Sequence, residues 1–225
     1  MTRRLPDLKN QAKQFAGEMS ALLNGTVTDG IRLQAIRNRQ GYAVLGYRVS
    51  SRNPRGDAVP LTCTRSPAML SLRVLHSLGL DDNSRFLTTI RSSYTLLTAD
   101  DDTRIATYDY VRTPPNCYPE AHPHIDGEAQ GLQQLLNACG RIKSRAVDLH
   151  LPVGGRRYRP SLEDLIEFCI LEDLVTPRPG WQDKLNASRN RFHIQQLKAA
   201  VRRNPQEAAE TLRDDGWSVA EPSSR

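Results

Sequence analysis

Several absences narrow this 225-residue chain before any motif is read. No apolar run reaches the length of about 18 residues that a membrane span needs. The opening stretch, with Arg3, Arg4, Lys9 and Lys13, has no apolar core of a secretory signal. The four cysteines, Cys63, Cys117, Cys139 and Cys169, stand far apart and form no C-x-x-C pair. This argues against a disulfide framework and a zinc knuckle, and a reduced, cytoplasmic location without membrane association is expected. No loop ends in the Lys-Ser/Thr of a Walker A site, and there is no internal repeat or low-complexity tract.

Lysine is scarce as well: 26 of the 31 basic residues are arginine. The net charge of +6 and pI near 9.3 favour a polyanionic partner, RNA or DNA, through counterion release. Arginine-rich codon usage would produce the same excess. The apolar fraction of 38% predicts one main domain with a solvated appendage. The Pro-rich joint Thr176-Pro-Arg-Pro-Gly180 divides the chain into a body, residues 1–176, and a helical appendage, 177–225.

Within the body, Leu8, Ala12, Phe15, Met19 and Leu22 recur at helical spacing between Asp7 and Gly25, predicting a helix over residues 7 to 23. Residues 26 to 36 and 41 to 50 read as a hairpin, and Val59, Leu61 and Cys63 as a short strand. Ser66-Pro67 offers an N-cap and a first-turn proline, so residues 67 to 79 are assigned to a helix, although Leu70, Leu72 and Val74 also fit strand alternation. Residues 85 to 98 and 103 to 112 are strands joined by an Asp-rich turn. A helix from Gly127 to Gly140 and a strand over 146 to 152 follow. Ser161 to Asp164 reads as a capping box with Asp in the usual Glu place, opening a helix to about Leu174. Residues 183 to 203, and those from Pro205 to near Gly216, read as tail helices. Hairpins preceding helices predict an α+β fold: a mostly antiparallel sheet of about six strands packed by helices, with a C-terminal helical tail.

The chemistry concentrates in the middle. If residues 120 to 126 are extended, Glu120, His122, His124 and Asp126 share one face. Pro123 cannot donate to a ladder, which places this strand at an edge or bulge. His150 is the natural third histidine, so His122, His124 and His150 form a candidate site for a divalent metal: zinc, manganese or iron. Glu120 and Asp109 are the candidate catalytic carboxylates, Glu120 orienting His122 as a general-base pair. The alternative is that these histidines are hydrogen-bonded groups pinning an irregular edge. Gly154-Gly155-Arg156-Arg157-Tyr158-Arg159, leading into a helix, has the parts of an anion site. With Arg202 and Arg203 in the tail, Arg156, Arg157 and Arg159 are the candidate phosphate or nucleic-acid contacts.

His122-x-His124, with Glu128 four residues on, is similar to the first metal-binding motif of the cupins, and Pro152-x-Gly154 to part of the second. Asn116 and Arg157, however, stand where that pattern has a glycine and a ligand histidine. The run Tyr108-Asp109-Tyr110, Glu120 to His124, Leu151 to Gly155 and the acidic helix after Ser161 resembles a family of bacterial proteins, common in actinobacteria, to which no activity is attached. A looser similarity of layout connects it to bacterial toxin-antitoxin and defence proteins. Three functions are consistent with this sequence. The first is a nucleic-acid-associated accessory protein of such a module, with a protein partner from the same operon. The second is a metal-dependent hydrolase or nuclease built on the His-x-His site. The third is a structural partner-binding domain.

Overall fold

The computed structural model describes residues 7–61, 68–115, 118–127, 153 and 159–220. It is an α+β arrangement of seven antiparallel strands with four helices among the described residues. Helix α1, Leu8–Thr26, opens on Asp7, whose carboxylate accepts from the Asn10 amide at 2.9 Å. It runs through Gly25, which sequence logic takes as its stop. A side chain at Gly25 would crowd the Lys184 methylenes at 3.3 Å, so this glycine makes room for packing and does not cap the helix.

Strands β1, Leu33–Arg37, and β2, Ala43–Tyr47, form the expected hairpin, and β3 is only Val59–Pro60. Next come β4, Leu70–Leu80, β5, Leu87–Thr98, β6, Arg104–Val111, and β7, Ala121–Ile125. The order is β1-β2-β4-β5-β6-β7, with β3 also paired to β4. The helix assigned to residues 67 to 79 is therefore wrong, and β4 is the long central strand. Leu70, Leu72, Val74 and Leu78 join the core with a period of two. A sheet with β-branched and leucine partners on both sides outweighs a first-turn proline that lies outside the described residues.

Helix α1 lies over β1, β2, β4 and β5. Helix α2, Leu162–Leu171, is opened by the expected capping box: Ser161 Oγ accepts from the Asp164 amide at 3.3 Å, and Asp164 Oδ2 accepts from the Ser161 amide at 2.8 Å. Leu162, Leu165 and Ile166 from this helix join Leu23, Leu45, Leu72 and Leu96 in one core. Cys169 is buried there too, and burial pushes its thiol up to about 12, which rules it out as a nucleophile at neutral pH.

Ser20 ties α1 to the sheet. Its buried hydroxyl donates to Ala16 O at 2.6 Å and accepts from the Leu33 amide at 2.9 Å. Replacing it with alanine orphans that amide, and Ser20→Ala is expected to cost about 1–3 kcal/mol in urea unfolding.

The tail helices are α3, Trp181–Arg203, and α4, Pro205–Asp214. Packing divides the chain into one unit of Met1–Leu185 and another of Asn186–Arg225. Among the described residues no helix is long and apolar enough to cross a membrane. The helix and strand expected over 127–140 and 146–152 fall almost wholly outside the described residues.

Candidate metal centre

Strands β6 and β7 pair antiparallel, with Asp109 opposite His122 and Thr107 opposite His124. Directly opposite side chains share a face, and so do side chains two apart on one strand. Asp109, His122 and His124 are thereby brought to the same side, and one ligand atom from each lies within 4.8 Å of the others. The third member of the group is thus a carboxylate from the neighbouring strand.

The details suit coordination. His122 is 3% exposed, and its Nδ1 lies 2.8 Å from Pro119 O. A carbonyl can only accept, so Nδ1 donates in this contact and the ring orientation is fixed by it. The Tyr118 ring meets His122 edge-on at 5.1 Å, and the His122 and His124 rings stand nearly perpendicular at 5.0 Å. His124 Nε2 is 3.7 Å from Asp109 Oδ2, too long for a hydrogen bond. It is close to the ligand spacing of about 3.4 Å around a tetrahedral zinc with bonds near 2.1 Å. Two imidazoles and a carboxylate form a mixed N/O set that could hold a metal ion.

Other residues of interest are placed elsewhere. Asp126 is held by Arg104 through two bonds, Nε to Oδ2 at 2.5 Å and Nη2 to Oδ1 at 2.7 Å, and so closes the end of the β6–β7 pair. Glu120 sits just before β7, its carbonyl accepting from the Val111 amide at 2.7 Å, and its carboxylate is not in the three-residue group. Arg159 lies over the Tyr110 ring at 4.1 Å. Tyr110 alternates with Asp109, so this contact is on the opposite face of the sheet from the histidines. Arg202 and Arg203 end α3, where cations favour the helix dipole. His150, Arg156 and Arg157 lie outside the described residues.

A further histidine, His76, is on β4 and not on a helix, with its ring at the edges of Phe15 and Tyr94, 5.4 and 5.5 Å away. Among the described residues, neither ring nitrogen has a hydrogen-bond partner. Burial, helped by the Arg159 charge, lowers its pKa to about 3, so it is neutral at physiological pH. No family model, curated protein or solved structure matches this chain.

Proposed function

We propose that Asp109, His122 and His124 hold a divalent cation, zinc, manganese or iron, and that the protein is a metal-dependent hydrolase. The observation that carries this reading is the convergence of three ligand atoms, one each from Asp109, His122 and His124, within 4.8 Å. When bound, the cation would act as a Lewis acid and lower the pKa of water. The protein's own residues supply the rest. The Pro119 carbonyl fixes the His122 ring, Asp109 offsets part of the positive charge, and Glu120, two residues before His122, is the candidate base for a proton of water. The role as a nucleic-acid-associated accessory protein ranks second because Arg159, one of its five arginines, is engaged with Tyr110.

Plasma mass spectrometry on untagged protein tests the reading. After exposure to zinc, manganese or iron and removal of excess, the wild type should carry about one equivalent of metal. The His122→Ala, His124→Ala double variant and Asp109→Asn should each lose most of it. Metal-loaded wild type, unlike the double variant, should hydrolyse an activated ester or phosphodiester. A wild type that retains none of the three metals overturns the site. A wild type that binds metal and cleaves neither substrate class overturns the hydrolase.

A further inference from the structure

Among the described residues, the unit Asn186–Arg225 carries several exposed apolar side chains. On α3, Ile194, Leu197 and Val201 recur at spacings of three and four and are exposed, Leu197 at 64%. On α4 no residue is buried, and Leu212 is exposed, as is Trp217 just beyond its end. An i, i+3, i+7 seam is the pattern by which helices pair, and helices of this length gain most of their stability from burying such a seam.

The charges on the two helices are segregated by sign. From residue 186 to 203 there are five cations, Arg189, Arg191, Lys198, Arg202 and Arg203, and no acidic residue. From Pro205 to Asp215 there are four acids, Glu207, Glu210, Asp214 and Asp215, against Arg213. A polyanion would be drawn to α3 and repelled by the adjoining α4. A second copy of the same unit, turned end for end, sets each basic α3 against an acidic α4 while the apolar seam of each α3 covers Leu212 of the other copy. That is the self-complementary contact a two-fold dimer requires.

We infer that this tail is a homodimerisation surface, in which α3 of one copy packs on α4 of the other through Ile194, Leu197, Val201 and Leu212. The inference is independent of the metal site. Sedimentation equilibrium of the full chain over roughly 1–100 µM, the range in which pairing of short helices is measurable, tests it. Wild type should approach twice its 25.3 kDa mass, and Leu197→Glu with Val201→Glu should be monomeric throughout. The triple variant Lys198→Glu, Arg202→Glu, Arg203→Glu should also be monomeric. Adding Glu207→Lys, Glu210→Lys and Asp214→Lys to the triple should restore the dimer, an outcome that simple misfolding does not produce. Monomeric wild type over the whole range overturns the inference. So does a dimer that survives the two glutamates, or a sixfold variant that stays monomeric.

Discussion

His76→Leu should flatten the acid dependence of stability. In the folded chain the imidazole is buried between Phe15 and Tyr94, with both nitrogens unpartnered among the described residues and the pKa lowered to about 3. In the unfolded chain it titrates near the ordinary value of about 6.5. Above that value both states are neutral and this residue adds no pH dependence. Below it the unfolded state binds a proton that the folded state refuses, so stability falls with pH until the folded ring itself protonates near 3. Between pH 6 and pH 4 the wild type should lose roughly 2–3 kcal/mol from this residue alone. The leucine variant keeps the volume and loses the titration, and removal of two unpaired nitrogens adds about 1 kcal/mol at pH 7. Urea unfolding of both proteins from pH 7 to pH 4 measures the difference, because the carboxylates are common to both. Equal slopes would show that the ring is not held neutral.

Gly56→Ala should be among the most damaging single-methyl additions in the body. Gly56 has φ +65°, and a Cβ there would come within 2.6 Å of the Tyr47 carbonyl oxygen and 3.0 Å of Val49 Cγ1. The carbonyl cannot swing away, because it accepts from the Asp57 amide at 2.8 Å and so holds the 50–57 loop to the end of β2. The left-handed conformation alone costs alanine about 1–2 kcal/mol, and the clash with fixed backbone should bring the total to roughly 2–4 kcal/mol. Gly180 separates the two effects: its φ is +72°, but a Cβ meets nothing within 4 Å. Gly180→Ala should therefore lose only the conformational part, near 1 kcal/mol. Thermal or urea unfolding that ranks the two variants equally would remove the clash from the account.

The elements that were legible in the chain are those whose signals are local. The seam of α1, the β1–β2 hairpin, the Asp-rich turn and the capping box at Ser161 each carry their cause within a few residues, and each is present. The β4 assignment failed because Ser66-Pro67 is a local signal, whereas the burial that makes Leu70 to Leu80 a strand comes from β2 and β5. Gly25 misled for the same reason, since Lys184, its neighbour in space, is far away in sequence. At the site, a period of two was enough to align His122 with His124. The same period in Tyr108-Asp109-Tyr110 turns Asp109 away from the tyrosines. That it faces His122 depends on the β6–β7 register, which no single strand encodes. Asp126 shared the expected face but is taken by Arg104, a partner visible only once the pair is formed.

Asp109, His122 and His124 belong to two strands adjacent in both sequence and space. Joining them closes a loop of only about a dozen residues, for which the chain-entropy cost is small and closure takes of the order of 100 ns. If a cation is held here, the short loop would let the disordered chain retain some affinity for it, and any binding to that form offsets part of the stabilisation of the fold. A metal proposed for this site should then raise the melting temperature by somewhat less than its native-state affinity alone implies.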